Sequence, residues 1–135
     1  MKLSTYLLFD GSCKPAMEYY ASVLGGELNI YLVGESPMKD MFPESMHHLV
    51  VNSTIASDSF KLSASDFLRT SEEFVQGNNL SLYIDSGSAE DIKKIYKRLT
   101  EDAQITDPLA EHPFGLFGAL QDKFGVCWKF HAVLD

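Results

Sequence analysis

The stretch QDKFGVCWKFH, residues 121–131, reads as a tight turn that leads into a β-strand. Asp and Gly in DKFG are residues that turns favour, and the residues after them alternate between apolar and polar side chains. A period of two is typical of a strand with one buried and one accessible face. The apolar side consists of Val126, Trp128 and Phe130, and the polar side of Cys127, Lys129 and His131.

The segment LSLYID, residues 80–85, shows the same alternation. It is followed by the turn SGS and by AEDIKKIYKRLTE, residues 89–101, whose apolar spacing predicts a helix. The segments AQITDPLAE, FGLFGAL and VCWKFHAV then read as three strands. In LSLYID we expect Leu80, Leu82 and Ile84 on one side of the strand and Ser81, Tyr83 and Asp85 on the other.

The first half of the chain has the same order of elements. LSTYLLF predicts a strand, CKPAMEYYASVLGG a helix, and ELNIYLVG, HHLVVNSTIA and SFKLSAS three further strands. Moving Leu8 onto Tyr83 aligns the turns and the apolar helix stripes of the two halves. The repeat predicts an α+β fold of two tandem β-α-β-β-β modules in one domain, 1–135. The first module covers 1–65, a linker 66–78, and the second module 79–135.

Each module has one helix, which can cover only one face of its sheet. The two uncovered faces would line a cup, and apolar walls with a few polar groups suit a small-molecule ligand. Packing of Phe9 under the first helix would turn Tyr6 toward the cup. A one-residue slip would present Thr5 instead. The predicted ligand-binding residues of the cup are Tyr6, Ser63, Ser81, Tyr83, Cys127, Lys129 and His131.

The duplicated order, the helix AMEYYASVLGGEL and the hairpin DKFGVCW resemble the vicinal oxygen chelate superfamily. This group includes glyoxalase I, bleomycin-resistance proteins and extradiol dioxygenases. The segments YLLFDG and DKFGVCW look like the YLxFxG and DKFGVxW motifs of its PhnB-like branch. The resemblance covers nearly the whole chain and implies the glyoxalase/bleomycin-resistance fold, with a cup-shaped mixed sheet.

Metal-dependent members of this superfamily use four ligands, mostly His and Glu, one from each of four strands that face the cup. The matching positions here are Ser4 or Thr5, Lys61 or Ser63, Asn79 or Ser81, and Lys129. A protonated lysine has no lone pair to give, and zinc prefers imidazole, thiolate or carboxylate. A divalent metal is therefore disfavoured, no other cofactor is expected, and Lys129 is expected to hold an anionic ligand.

The sequence allows three interpretations of function. The first is a PhnB-like protein that binds or transforms a small anionic or oxygen-rich molecule without the standard metal. The second is a lyase, isomerase or dioxygenase with a displaced metal, held by His47 or His48 together with His131 and Asp66. His47 and His48 are neighbours in a predicted strand, so only one of them could face such a site. The third is a non-catalytic partner protein whose aromatics fill the cup.

Charge and cysteine content indicate which partners and which compartment to expect for this chain. The net charge of −8 argues against nucleic acid and anionic membranes as partners. No apolar run reaches the roughly 20 residues that span a bilayer, and the N-terminus reads as a strand rather than a signal peptide. Cys13 and Cys127 match no metal spacing and predict free thiols in the cytoplasm. Exposed sheet edges, and the superfamily's frequent pairing of chains, predict a homodimer.

Overall fold

A computed structural model describes residues 1–134 of the 135-residue chain. The chain divides into two compact units, Met1–Phe74 and Val75–Asp135. Each unit contains one helix and one four-stranded mixed sheet. The predicted α+β class and the repeated β-α-β-β-β order are confirmed, and the division between the units falls inside the predicted linker.

The first unit builds its sheet in the order β1-β4-β3-β2. The neighbours β1 and β4 are parallel, and the other pairs are antiparallel. Three short 3-10 turns, at Val33–Glu35, Lys39–Met41 and Glu44–Met46, form the polar loop between β2 and β3. The regular elements are β1 (Thr5–Phe9), α1 (Cys13–Leu24), β2 (Glu27–Leu32), β3 (Val50–Ala56) and β4 (Lys61–Asp66).

The second unit repeats this topology with the order β5-β8-β7-β6. Here β5 and β8 are the parallel pair, and the remaining neighbours are antiparallel. Ser88 caps the helix through a hydrogen bond that its hydroxyl accepts from the amide of Asp91. The elements are β5 (Leu82–Ser86), α2 (Ala89–Leu99), β6 (Gln104–His112), β7 (Gly115–Gln121) and β8 (Cys127–Ala132).

Each helix packs on one face of the sheet of its own unit. The helix α1 contacts β2, β3 and β4, and α2 contacts β5 and β8. The apolar residues that alternate along the strands are buried there, as predicted for Trp128 and Phe130. In β1, Phe9 is buried while Tyr6 is 54% exposed, so the predicted register is confirmed and Thr5 shares the face of Phe9.

The turn DKFG is held by a buried carboxylate. Asp122 accepts hydrogen bonds from the amides of Phe124 (2.8 Å) and Val126 (3.1 Å) through one oxygen, and from the indole N–H of Trp128 (2.8 Å) through the other. Gly125 has φ +85°, a region that L-residues rarely adopt. A Cβ there would also collide with the side chain of Gln76. The motif therefore fixes the start of β8.

A second buried carboxylate, that of Asp66, ties β4 to the start of α1. It accepts hydrogen bonds from the amides of Cys13 (3.0 Å) and Val50 (2.8 Å). Asp66 is the last residue of β4, one residue beyond the predicted end of the first module. A carboxylate at a helix N-terminus is stabilised by the helix dipole, so this residue has a structural role.

Two of the sequence interpretations are wrong in detail. His47 and His48 lie in a turn before β3, because the 3-10 turns continue to Met46, and the strand begins only at Val50. Leu80 is outside β5 and 83% exposed, since the strand begins at Leu82. No helix within residues 1–134 is long and apolar enough to cross a membrane.

The Asp122 network predicts a large effect of Asp122→Ala on stability. The substitution leaves the buried indole N–H and two turn amides without this acceptor, so the free energy of unfolding should fall by about 2–4 kcal/mol. Urea unfolding followed by tryptophan fluorescence measures the change. Asp58→Ala, in the exposed β3–β4 turn, is the control and should stay within about 0.5 kcal/mol of wild type. Equal losses in the two variants would contradict this role for Asp122.

Candidate functional site

The candidate site is the face of the second sheet that lies opposite α2, called here the second open face. Strand pairing places its residues in rows that cross the sheet. One row runs from Tyr83 through Lys129 and Ala119 to Asp107, and the next contains Asp85, His131 and Phe117. The predicted residues that the structure places on or beside this face are Ser81, Tyr83, Cys127, Lys129 and His131.

Lys129 is the cation at the centre of this face. Its ammonium nitrogen lies 5.6 Å from the centre of the Phe117 ring, above the ring face. Within the described part of the chain, no carboxylate forms an ion pair with it. A cation over an aromatic ring is partly stabilised by the ring, but it keeps donors free for an anion.

His131 lies two residues further along β8 and has both ring nitrogens engaged. Nδ1 is 2.8 Å from a carboxylate oxygen of Asp85, and Nε2 is 2.9 Å from the carbonyl oxygen of Phe114. The hydrogen bond to the Phe114 carbonyl, followed by the one to Asp85, raises the pKa of His131. Two acceptors at two nitrogens favour the imidazolium, which donates from both.

Aromatic rings continue the face beyond His131. Phe114 is 60% exposed and stacks on His112, with ring centres 5.0 Å apart and planes 3° apart. Its ring centre lies 5.9 Å from that of Phe117, at an interplanar angle of 73°. Gly115, at φ +125°, permits this arrangement, since a Cβ there would collide with the carbonyl oxygen of Ala132. The second open face thus has positive charge beside aromatic surface.

A pocket of about 330 Å³ adjoins the Lys129 side of this face. Ser81, Cys127 and Lys129 line it, as do the polar side chains of Asn78 and Gln121. A small molecule bound to Lys129 therefore has both amide and hydroxyl partners within reach.

The two predicted residues of the first unit lie on the corresponding face of its own sheet. Tyr6 and Ser63 are cross-strand partners in the parallel pair β1–β4. Tyr6 lines a pocket of about 270 Å³ that also contains Arg69, whereas Ser63 is buried. Whether any of the seven predicted residues binds a ligand stays a prediction.

The positions that would carry the superfamily's metal do not fit one. Thr5 lies on the helix-covered face, and Ser63 and Ser81 offer hydroxyls. Among residues 1–134, no three His, Cys, Asp or Glu side chains are grouped as a metal would need.

The displaced arrangement is also unsupported. His47 contacts the carbonyl oxygens of Lys39 (2.9 Å) and Phe42 (3.1 Å) through Nε2, and Asp66 is engaged by backbone amides. These contacts give both side chains structural roles in the first unit.

The two cysteines differ in environment. Burial raises the pKa of the Cys13 thiol to about 11, and its sulfur lies 3.5 Å from the hydroxyl oxygen of Ser53. Cys127 is half-buried on the second open face. Because thiolate is the nucleophilic form, Cys13 is inert and Cys127 is the accessible thiol.

Sequence reasoning missed Asp85 and Phe114 as members of this site. Asp85 was placed on the correct side of its strand, but its pairing with His131 depends on two strands 46 residues apart. Phe114 is the first residue of the predicted strand FGLFGAL, but β7 begins at Gly115 and Phe114 lies in the β6–β7 turn, where alternation along a strand gives no information. Asp85 comes beside His131 only through the parallel register of β5 and β8, which the structure supplies.

Comparison with known proteins identifies a family. Residues 1–131 match the family model described as 3-demethylubiquinone-9 3-methyltransferase. Protein YjdN of Escherichia coli (strain K12) is 30% identical over 145 residues, which cover 98% of this chain and 96% of that protein. The solved structure of protein PA1353 from Pseudomonas aeruginosa is 26% identical, with a TM-score of 0.89 over 100% of this chain and 99% of that one.

Two further solved structures place the fold. A putative 3-demethylubiquinone-9 3-methyltransferase, PhnB protein, from Bacillus cereus is 26% identical, with a TM-score of 0.77 over 98% of this chain and 100% of that one. A glyoxalase/bleomycin resistance protein/dioxygenase family enzyme from Burkholderia phytofirmans PsJN is 14% identical, with a TM-score of 0.62 over 99% and 100% of the two chains. The fold is therefore the glyoxalase/bleomycin-resistance fold.

The thiol environments predict selective labelling. In the native protein at neutral pH, one thiol should react readily with a disulfide reagent such as DTNB, and Cys127→Ala should remove that reaction. Cys13→Ala is the matched control and should leave the fast reaction unchanged, since thiolate at Cys13 forms only near pH 11. A fast reaction that persists in Cys127→Ala would show that Cys13 is accessible.

The contacts of His131 predict a pH-dependent contribution to stability. Because its folded-state pKa is raised, this contribution is fully present below the ordinary histidine pKa of about 6.5 and is lost as pH rises through the raised pKa. Urea midpoints of wild type and His131→Asn should therefore differ more at low pH than at high pH. A difference that grows with pH would contradict the assignment.

Proposed function

We propose that this chain, which belongs to the PhnB-like family of the vicinal oxygen chelate superfamily, binds a small organic anion on the second open face without a divalent metal. The observation that carries the proposal is Lys129. Among residues 1–134 no carboxylate forms an ion pair with it, and it lies over the ring of Phe117, two residues from His131 on the same strand. The ammonium lies on this face although the chain carries a net charge of −8.

Lys129 is exposed, so an anion can reach its ammonium directly and accept a charge-assisted hydrogen bond. Phe117, half-buried beneath the ammonium, adds apolar surface on one side of that anion. The carboxylates of Asp85 and Asp107 lie at opposite ends of the two rows. They restrict the anion to the centre of the sheet, between β8 and β7.

Metal-free binding follows from the donor set. The positions that match the superfamily's metal ligands carry hydroxyls, an amide and the Lys129 ammonium in this chain. These groups are poor ligands for a divalent metal, so the proposed binding uses none. The family's description names methyl transfer, whereas the side chains on this face, an ammonium, an imidazole and aromatic rings, support anion binding.

The geometry favours binding over proton transfer. A general base needs a free lone pair directed at its substrate, and both nitrogens of His131 already face acceptors. The Lys129 ammonium can stabilise negative charge but is not a carboxylate base. We therefore propose sequestration or delivery of the anion as the activity that these side chains support.

We infer further that the protein acts in the cytoplasm as a homodimer and takes neither nucleic acid nor membrane as a partner. The acidic net charge supports the second part. The edge strand β6 supports the homodimer, because it is exposed along almost its whole length and presents Ile105, which is 46% exposed. The free cysteines support the cytoplasm.

Lys129→Met tests the proposal, because it keeps an unbranched apolar stem of similar reach and removes the charge. Titration calorimetry or NMR with small carboxylates, such as benzoate and succinate, should show binding to wild type after exhaustive EDTA dialysis. The variant should bind about 10- to 100-fold more weakly. Lys94→Met, on the exposed side of α2, is the matched control and should bind as wild type does.

Three outcomes would contradict the proposal. Wild type might bind none of these anions, or Lys129→Met might bind them with unchanged affinity. Binding that disappears with EDTA and returns with a divalent cation would show that a metal takes part.

A further inference from the structure

We propose that the ligand of the second open face is a planar aromatic anion, whose ring lies against the exposed surface of Phe114 while its charged group binds the Lys129 ammonium over Phe117. This inference rests on the proposed function, since it names the ligand class for the same face. It goes further because a cation alone would accept any carboxylate, whereas the aromatic residues add a requirement on shape.

The geometry of three side chains carries the argument. The centre of the Phe117 ring is 5.6 Å from the Lys129 ammonium nitrogen and 5.9 Å from the centre of the Phe114 ring. Phe114 stands nearly perpendicular to Phe117, at 73°. The two rings therefore meet at a steep angle, and the ammonium lies over one of them, that of Phe117. A flat ring that carries its anionic group directly brings charge and aromatic surface within this short span.

Phe114 has the properties of a stacking surface. Its ring stacks on His112 and lies 6.3 Å from the His131 ring at an interplanar angle of 28°, and it is still 60% exposed, so part of the ring surface is accessible to a ligand. Aromatic pairs with centres roughly 4.5–7 Å apart are attracted to one another beyond the gain from apolar burial. A saturated ring of the same size would lose that increment, because it has no π-face.

The position of Phe114 is fixed by the backbone. His131 donates to the carbonyl oxygen of Phe114 (2.9 Å), and Asp85 orients the imidazole from the other side (2.8 Å). Gly115 allows the turn to approach β8 so closely that any Cβ would collide with Ala132. A preorganised wall reduces the entropy that binding must offset. His131 is thus a positioning residue, which acts on the ligand through Phe114.

Other ligand classes fit these contacts less well. An aromatic cation would meet the Lys129 ammonium, which already occupies the face of Phe117. A neutral aromatic would leave that ammonium without a new partner. An aliphatic anion would use Lys129 but gain nothing specific from the exposed ring of Phe114. Only an aromatic anion uses both groups.

The test compares three probes of similar size: benzoate, cyclohexanecarboxylate and benzamide. NMR or calorimetric titration of wild type should give about three- to tenfold tighter binding of benzoate than of cyclohexanecarboxylate. Benzamide keeps the ring and removes the charge, so it should bind about tenfold or more weakly than benzoate.

Phe114→Leu removes the π-face while keeping an apolar side chain at an exposed position. It should bring the affinities for benzoate and cyclohexanecarboxylate within about twofold of each other. Phe60→Leu, in the other unit, is the matched control and should keep the wild-type preference. His131→Asn should reduce the preference and increase the mobility of the Phe114 amide in NMR relaxation, whereas a residue unconnected to Phe114 would leave that mobility unchanged.

The outcomes separate this inference from the proposed function. Equal affinity of wild type for benzoate and cyclohexanecarboxylate overturns the aromatic inference and leaves anion binding at Lys129 intact. A preference that survives Phe114→Leu also overturns it, because the ring must then lie elsewhere. If neither carboxylate binds, both proposals are wrong.

Discussion

One constraint underlies the rest of the structure: each four-stranded sheet has a single helix to cover it. Apolar side chains every second residue satisfy the covered face, with Trp128 and Phe130 buried beside α2. The residues between them point to the opposite face of the sheet, which the helix does not cover. On the second sheet these residues include an ammonium, an imidazole and exposed aromatics, a mixture that packing against the helix does not require.

The sequence predicted those parts of the fold that depend on local periodicity. Alternation in 126–131 set the face of every β8 side chain, and the DKFG turn marked where that strand begins. Local patterns were less informative where the geometry of a turn determines the residue at which a strand begins. The predicted strand from His47 starts at Val50, because hydrogen bonds of successive 3-10 turns extend the loop past Met46. Leu80, though apolar and in phase, is outside β5 and exposed.

In the candidate site, too, local alternation predicts some residues, whereas others join only through contacts between distant parts of the chain. Lys129 and His131 could be placed on one face because they are two residues apart on one strand. Asp85 and Phe114 join them through contacts that span 46 and 17 residues, which no short pattern encodes. The most specific motif of the chain, DKFGVCW, proves to be structural at its first residue. The Asp122 carboxylate is buried and holds the turn and the Trp128 indole, and the residues proposed to bind the ligand come after it in β8.

The central claim is that the face opposite α2, not the helix side or the first unit's pockets, receives the ligand. Mapping of backbone amide chemical shifts during titration with a small organic anion that binds tests this most directly. The account predicts that the largest changes lie in β5, β7 and β8 around Lys129 and at the 113–114 turn, with α2 nearly unaffected. Largest changes at the β3–β4 hairpin beside Lys61, or around Arg69, would contradict it.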